Sequence, residues 1–358
     1  MPRRNLFVVG TSYQFIATYC ICQEMYHSSS YTNIIYFLKS KSSNYNITDN
    51  NYKINGEIIQ IDPENWPVKI GELSKQAFFR FFFFQENSIF NKYLAIQLKK
   101  NGTIICLGPD GTKPYGVFNK THEVLSRIKD TYTDLKLLRL KGFKIPGIIW
   151  SKYYRYGSFN QLDEVWLQYP HLFDRNKNQT IGTLIEMPAL TKQHIQDIAQ
   201  ILGFKNLINH TEHIILYFNQ PFTSQVLIQL EIKLIQQIHA LFKDRKFIIK
   251  IHPATNPESL KHFKELSFLE IIEDAVPAEF YLAKVSNSLL ISGWSAALMH
   301  DFTQTNNKYF YLYNLYKDTG DKLLSQLKFT GFNHVKMINS ISEMELQTND
   351  DCFENKRS

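Results

Sequence analysis

Two short segments contain side chains that could transfer a proton. Asp110 stands between Pro109 and Gly111, so its carboxylate lies in a sequence that favours a tight turn. His252 follows Lys250 by two residues and is followed by a proline, so an imidazole and an ammonium lie close together in the chain. A carboxylate can act as a general base, and an imidazole as a general acid, near neutral pH. These residue types predict acid–base chemistry.

A third segment combines hydroxyl groups with small residues. Ser292 and Ser295 lie 40 and 43 residues beyond His252, and Ala296 and an apolar stretch follow them. If a helix begins here, its free backbone N–H groups and its dipole favour an anion. The segment is therefore a candidate phosphate-binding site.

Each segment also has a purely conformational interpretation. The residues around Asp110 are typical of a β-turn, Pro253 after His252 can simply end a strand, and Ser292 and Ser295 can simply cap a helix. Their order favours function. An acid in the first half and a histidine with hydroxyls in the second half would face one another across a cleft between two domains.

Short apolar runs that favour strands recur along the chain, and longer segments with helical spacing separate them. Such runs predict parallel sheets that are covered on both faces. We expect an α/β protein of two facing Rossmann-like domains, at 1–190 and 191–358, with a cleft between them. The predicted strands are Leu6–Val9, Asn33–Leu38, Glu57–Ile61, Thr103–Leu107, Val165–Gln168, Ile214–Phe218, Phe247–Ile251, Leu269–Ile272, Leu289–Ile291 and Tyr309–Leu312.

In such sheets, ligands bind beyond the carboxyl ends of the strands. Asp110 and His252 each follow a predicted strand closely. The same rule adds the segment Gly10–Gln14 after the first strand, which includes Thr11, and Asn219 with Gln220 after Ile214–Phe218. A simple strand-to-helix turn is the alternative for Gly10–Gln14.

The composition excludes several classes of protein. The chain has 358 residues, of which 44% are hydrophobic, so it can build large cores and is not a disordered protein. Its net charge of +7 is too small for a dedicated nucleic-acid-binding protein. No window approaches the roughly 20 apolar residues that span a bilayer. Four cysteines in neither a metal nor a disulfide pattern predict a reducing compartment, the cytoplasm.

The most conspicuous apolar run is Ala77–Phe84, which has six phenylalanines around Arg80. We expect it to be buried, because contiguous exposed aromatic residues reduce solubility. The alternative is that it rests on a membrane surface, aided by basic residues.

In order and spacing, these motifs resemble those of the bacterial sialyltransferases of GT-B architecture, which include lipooligosaccharide sialyltransferases and capsular polysialyltransferases. That family has an acidic-acidic-Gly motif, then a His-Pro motif, then a Ser/Thr motif some 40 residues later. Here Asp110-Gly111, His252-Pro253 and Ser292 to Ser295 occupy these places. Glu279, in the segment Val276–Phe280, is similar to a carboxylate that binds the ribose of the cytidine nucleotide in the family.

The resemblance implies an inverting transfer of sialic acid from CMP-sialic acid to a galactoside or sialoside of lipooligosaccharide or capsule. Asp110 would be the base, and His252 would assist the departure of CMP. Ser295, with Ser292 and Lys250, would bind the phosphate, and Glu279 the ribose. Neither a metal nor another cofactor is implied. The resemblance also implies a cytoplasmic enzyme with peripheral contact to the inner membrane.

One departure from the family pattern matters, because Pro109 occupies the first acidic position and leaves Asp110 alone. Two alternatives therefore stay open. One is a GT-B transferase that uses another cytidine-activated donor, such as CMP-Kdo or a CDP-polyol. The other is a catalytically silent binding partner in glycan assembly.

Overall fold

The computed structural model describes residues 1–39, 47, 54–118, 124–145, 149, 156–173, 182–204, 211–274, 276–302, 305–317, 319, 327–329 and 331–349. The chain divides into two compact units, Met1–Gly203 and Phe204–Ser358.

The first unit contains a seven-stranded sheet with the order β3-β2-β1-β4-β5-β7-β8, and all of its pairs are parallel. The strands of the first unit, of which β6 lies outside this sheet, are β1 (Arg3–Val9), β2 (Tyr31–Leu38), β3 (Gly56–Ile61), β4 (Arg80–Phe83), β5 (Ile104–Leu107), β6 (Gly116–Phe118), β7 (Glu164–Leu167) and β8 (Thr183–Glu186). Its helices are α1 (Ser12–Met25), α2 (Trp66–Leu73), α3 (Ile89–Lys100), α4 (Val124–Leu140) and α5 (Lys192–Ile201), with a 3₁₀ turn at Pro170–Leu172.

The second unit contains a six-stranded parallel sheet with the order β12-β11-β10-β14-β15-β17. The strands of the second unit, of which β9, β13 and β16 lie outside this sheet, are β9 (Thr211–Glu212), β10 (Ile214–Phe218), β11 (Lys246–Lys250), β12 (Leu269–Ile272), β13 (Val285–Ser286), β14 (Leu289–Ser292), β15 (Lys308–Tyr311), β16 (Leu327–Phe329) and β17 (Val335–Met337). Its helices are α6 (Gln225–Leu241), α7 (Pro257–Lys264), α8 (Ala278–Leu282), α9 (Tyr313–Lys317) and α10 (Ile341–Asn349), with a 3₁₀ turn at Ala296–Met299.

The predicted α/β class is therefore confirmed, and two Rossmann-like parallel sheets in one chain are what the GT-B expectation requires. The sequence assigns the helix at 192–201 to the second domain. In the structure this helix, α5, lies in the first unit because it packs on α1. The Tyr19 hydroxyl donates to Asp197 Oδ2 at 3.1 Å, and Cys20 Sγ lies 3.5 Å from His194 Nδ1.

The phenylalanine run forms β4 and its flanks, and it is buried as expected. Phe81, Phe82, Phe83 and Phe84 have no exposed surface. A central parallel strand is covered on both faces, which explains why its side chains do not alternate between apolar and polar. The four phenylalanines 81–84 therefore offer no surface to a membrane, whereas Ala77 is exposed and Phe79 is half-buried.

A buried polar network underlies β10 in the second unit. Glu231 of α6 has no exposed surface, and its Oε1 accepts from the Tyr217 hydroxyl at 3.0 Å and from the Gln220 backbone N–H at 3.1 Å. The Tyr217 hydroxyl also lies 3.1 Å from the Tyr316 hydroxyl. Burial raises the pKa of Glu231 to about 8, although both hydrogen bonds oppose the shift. Glu231 is therefore protonated at neutral pH.

This protonation predicts that stability depends on pH. The unfolded chain releases the Glu231 proton near the ordinary pKa of 4.5, whereas the folded chain holds it to about pH 8. Between these values the folded state binds more protons, so the free energy of unfolding falls as the pH rises, by at most roughly 1.4 kcal/mol per pH unit. We expect Glu231→Gln to remove this slope in urea unfolding between pH 5 and pH 8.

Glu258→Gln is the matched control, because Glu258 is an exposed acid on α7. It should keep the wild-type slope. Parallel pH profiles for the wild type and Glu231→Gln would show that Glu231 ionises normally.

Candidate active site

The second unit brings three predicted site residues together at the point where its strand order reverses. The chain passes from β10 outward through β11 to β12 and then returns to β14 on the other side of β10. In the strand register, Phe218 is level with both Lys250 and Ser292. The residues after these three positions therefore meet at one edge of the sheet, where α/β sheets bind ligands.

Asn219 holds the loop that carries His252. Its Oδ1 accepts the His252 backbone N–H at 2.6 Å, and its Nδ2 donates to Thr255 Oγ1 at 3.0 Å and to the Gln220 carbonyl at 3.1 Å. The residue is only 2% exposed. The sequence predicts that Asn219 contacts the donor, and in the structure its amide bonds to protein groups that hold the His252 loop.

The imidazole of His252 has a defined orientation. Nδ1 accepts the Ala254 backbone N–H at 3.0 Å, so the neutral ring carries its proton on Nε2. Nε2 has no hydrogen-bond partner among the described residues, and the side chain is exposed. Partial desolvation and the charge of Lys250 lower the pKa of His252, which favours this neutral form. The site therefore presents one N–H donor to a ligand.

Lys250 directs its ammonium into the protein rather than toward a ligand. Nζ donates to the Ile251 carbonyl at 3.1 Å and the Asp274 carbonyl at 2.6 Å, and it lies 3.3 Å from Asp274 Oδ1. The side chain is 4% exposed, and burial lowers its pKa. The two carbonyls accept two of the three N–H groups of the ammonium, and the Asp274 carboxylate pairs with its charge, so the side chain is held by the protein.

Glu279 is the second residue of α8, and Pro277 directly precedes the helix. It is 5% exposed, and burial raises its pKa to about 6, although its own backbone N–H and the charge of Lys250 oppose the shift. At pH 7 and above, Glu279 is therefore mainly ionised. A buried carboxylate of this kind can accept hydrogen bonds from sugar hydroxyls.

The two serines of the Ser/Thr motif differ in what they can offer. Ser292 is fully buried, and its Oγ donates to the Phe218 carbonyl at 2.9 Å while accepting from Gln220 Nε2 at 2.9 Å and from the Ser295 backbone N–H at 3.2 Å. The Ser292 hydroxyl thus connects β10, Gln220 and the Ser295 backbone. Ser295 is half-buried and caps the 3₁₀ turn, where its Oγ accepts the Ala297 N–H at 3.2 Å. Ser295 and the half-buried Ala296 are the accessible members.

In the first unit, Gln14 links the loops after β1 and β5. Its Oε1 accepts the Gly10 backbone N–H at 2.8 Å, and its Nε2 donates to Asp110 Oδ1 at 3.2 Å. Thr11 Oγ1 caps α1 by accepting the Gln14 backbone N–H at 3.2 Å. The predicted residues Gly10, Thr11 and Asp110 therefore meet around Gln14, the last residue of the segment that the sequence predicts to border the site.

Asp110 also forms an ion pair with Lys113, a side chain that is 58% exposed. Lys113 stands three residues after Asp110, so the turn itself places the two charges together. Gly111 within this turn has φ +62°, which glycine adopts without strain. The exposed Lys113 can move away from Oδ2, whereas the buried Gln14 keeps Oδ1 in place.

A buried acid supports the same loop from the other side. Glu86 accepts the backbone N–H groups of Gly157 and Phe159, both at 2.8 Å, and the adjacent Tyr156 hydroxyl donates to the Gly108 carbonyl. Burial raises the pKa of Glu86 to about 7, although both N–H donors oppose the shift. Glu86 thus fixes the segment that holds the turn before Asp110.

The sequence did not indicate Lys113, Glu86, Tyr156, Thr255 or Asp274, whereas Gln14 and Gln220 lie in segments that it did indicate. Lys113 could have been noticed, because it is a basic residue three positions after Asp110. Glu86, Tyr156 and Asp274 are recognised only from contacts between residues far apart in the chain.

Among the described residues, no group of three His, Cys, Asp or Glu side chains could hold a metal ion. No helix in those ranges is long and apolar enough to cross a membrane.

Comparisons with known proteins are informative at the level of family and fold. Residues 2–314 match the family model described as alpha-2,8-polysialyltransferase (POLYST). No curated protein matches the chain.

Among solved structures, a putative UDP-N-acetylglucosamine 2-epimerase from Listeria monocytogenes is 10% identical with a TM-score of 0.53, covering 87% of this chain and 79% of its own. A second UDP-N-acetylglucosamine 2-epimerase is 10% identical with a TM-score of 0.53, covering 97% and 87%. The GT-B domain of a sialyltransferase from Photobacterium damselae is 13% identical with a TM-score of 0.49, covering 86% and 90%. At these identities the two epimerases establish a shared fold.

The two parallel sheets agree with that fold, and the family match extends from the first strand to α9. The chain is therefore a member of the alpha-2,8-polysialyltransferase family of glycosyltransferases.

Proposed function

We propose that this protein transfers sialic acid from CMP-sialic acid to a hydroxyl of a bacterial surface glycan, with inversion at the anomeric carbon. Lipooligosaccharide and capsule are the acceptor classes, and a galactoside or sialoside is the acceptor end. The observation that carries the proposal is the free Nε2–H of His252 at the ligand-binding edge of the second sheet. Family membership supports the sugar that is transferred.

The proposed reaction is a single displacement. The acceptor oxygen forms a bond to the anomeric carbon, the bond from that carbon to the CMP phosphate oxygen breaks, and Asp110 takes the acceptor proton. Gln14 keeps Oδ1 of Asp110 in place, and departure of the exposed Lys113 frees Oδ2 to receive the proton. We assign the first unit to the acceptor and the second to the donor.

The leaving phosphate gains negative charge as the bond breaks, and a fixed N–H donor stabilises that charge. His252 Nε2 supplies this donor, and the half-buried Ser295 and the backbone at Ala296 supply further contacts. Glu279 accepts hydrogen bonds from the ribose hydroxyls, while the positive charge of Lys250 offsets the buried negative charge of Glu279. We propose that the reaction uses neither a metal nor another cofactor and takes place in the cytoplasm.

Two observations favour the alternative of a silent binding partner. Pro109 occupies the place of the first acid of the family motif, and Lys113 already pairs with Asp110. A silent partner would bind the nucleotide and release no CMP, so an assay of CMP release separates the two functions.

The direct test is incubation of the purified chain with CMP-sialic acid and a panel of galactosides and sialosides, with detection of free CMP and of product mass. We expect acceptor-dependent CMP release that a chelator does not reduce. CMP-Kdo and a CDP-polyol serve as comparison donors. Faster release from either comparison donor, or nucleotide binding without release, would overturn the assignment of the donor or of the reaction.

Asp110→Asn should lower the rate of transfer by roughly 100-fold or more, the usual effect of losing an acid–base group, because the amide cannot accept the acceptor proton. Binding of CMP, measured by calorimetry, should stay nearly unchanged. Glu57→Gln, an exposed position at the amino end of β3, is the control and should keep the wild-type rate. A normal rate for Asp110→Asn would remove Asp110 from its role as base.

His252→Ala should lower kcat/KM for the donor by roughly 100-fold, because one charge-stabilising donor is lost. The wild-type rate should not fall between pH 7 and pH 8 through this residue, since its lowered pKa leaves Nε2 protonated in the neutral ring throughout that range. His262→Ala on α7 is the matched control, because among the described residues the imidazole of His262 pairs with Glu265 alone, at 3.4 Å. Equal rates for the two variants would contradict the role of His252.

A further inference from the structure

Exposed apolar side chains concentrate on one helix of the first unit. Among the described residues, nine large hydrophobic side chains are exposed, and four of them lie on α4. Two of these, Tyr132 and Leu140, are 66% and 74% exposed. We call the exposed side of this helix, comprising Ile128, Lys129, Tyr132, Thr133, Lys136, Leu137, Arg139 and Leu140, the α4 face.

The opposite side of α4 is the one that packs on the protein. Thr131 and Leu138 are buried and Leu135 is half-buried, and the helix contacts α3. At 100° per residue these three positions share one side, so the α4 face points away from the core. An isolated exposed leucine needs no explanation, but four apolar side chains on one helix side do.

The charges on the α4 face all have one sign. Lys129, Lys136 and Arg139 are exposed among the apolar residues, whereas the nearby acids Asp130 and Asp134 are half-buried at its margin. A side that combines apolar residues with cations and lacks exposed acids is typical of helices that lie on an anionic lipid surface.

A basic groove continues the α4 face at its carboxyl end. It has a volume of about 840 Å³ and lies between α2, α3 and the segment 141–145. Its walls carry Lys75, Lys100, Lys141 and Lys144, which make no ion pair with any described residue. Of its two acids, Glu72 is already paired with Lys69 at 2.7 Å. Val68, 70% exposed, adds an apolar group at the same groove.

We propose that the α4 face and the basic groove together dock this protein on a membrane that contains anionic lipids. Lysines of the groove contact headgroup phosphates, and Ile128, Tyr132 and Leu140 enter the boundary between headgroups and acyl chains. An anionic polysaccharide would also attract the lysines, but it has no use for exposed leucine and isoleucine. The apolar side chains therefore favour lipid, and this inference goes beyond the proposed reaction.

The test measures co-sedimentation of the full chain with vesicles of phosphatidylcholine alone and with about 30% phosphatidylglycerol, because anionic lipid attracts basic surfaces. We expect binding to the anionic vesicles only, and weaker binding at high salt because salt screens the attraction.

Two double variants separate the two contributions. Ile128→Gln with Leu140→Gln removes apolar groups without changing charge, and Lys129→Gln with Lys136→Gln removes charge only. Each should weaken vesicle binding roughly tenfold, the scale expected from losing two interfacial groups. The matched controls are Val226→Gln and Lys233→Gln on the exposed side of α6, which should bind like the wild type.

Transfer to a soluble acceptor keeps the two proposals distinguishable, because the α4 variants should retain it in full. Absence of binding to anionic vesicles, or equal binding by α4 variants and α6 controls, would overturn the membrane assignment and leave the reaction untouched. Binding of soluble polysialic acid that depends on the lysines but not on Ile128 and Leu140 would also overturn it, in favour of a polysaccharide surface.

Discussion

The hydrogen bond from the His252 backbone to the side-chain amide of Asn219 is the contact on which the proposed donor site depends. Asn219 directly follows β10, and His252 lies in the loop after β11, so the 2.6 Å bond joins the loops of two adjacent strands. The same amide reaches Thr255, which fixes the turn that lets Ala254 donate to the imidazole. The orientation of the imidazole therefore depends on one buried polar residue, Asn219. Removal of a partner in such a buried network leaves polar groups unsatisfied, which costs more than the bond itself contributes.

Buried carboxyl groups stand behind the proposed reacting groups in both units. Glu86 fixes the segment next to the Asp110 turn, and Glu231 fixes Gln220, which in turn bonds to Ser292. Burial raises the pKa of the first to about 7 and of the second to about 8, so both hold a proton near neutral pH far more than an exposed glutamate does. A neutral carboxyl can occupy an apolar interior at lower cost than a charged one, while still accepting backbone N–H groups. Near pH 7, these loops are thus held by one acid that is mostly neutral, Glu231, and by one that is partly neutral, Glu86.

The fold was predictable because the apolar runs in β1, β10 and β11 allow few arrangements other than buried parallel strands. The positions of Asp110, His252 and Ser292 at strand ends followed from the same runs. Lys250 illustrates the limit of such reasoning. Its position two residues before His252 indicated a ligand contact. In the structure its ammonium donates to the carbonyl of Asp274, 24 residues away, and pairs with the carboxylate of that residue. Gln14 and Asp110 are 96 residues apart, and no local pattern connects them. Side-chain partners depend on the packed fold, which sequence spacing alone does not specify.

Gly108, the residue that separates β5 from the Asp110 turn, has no space for a side chain. A Cβ atom there would lie 2.2 Å from the ring of Phe84, which is itself fully buried and cannot retreat. Any side chain at this position would therefore have to displace the Phe84 ring or the backbone of the loop. The contact between Gly108 and Phe84 thus fixes the distance at which the Asp110 turn leaves the sheet, and only glycine allows it.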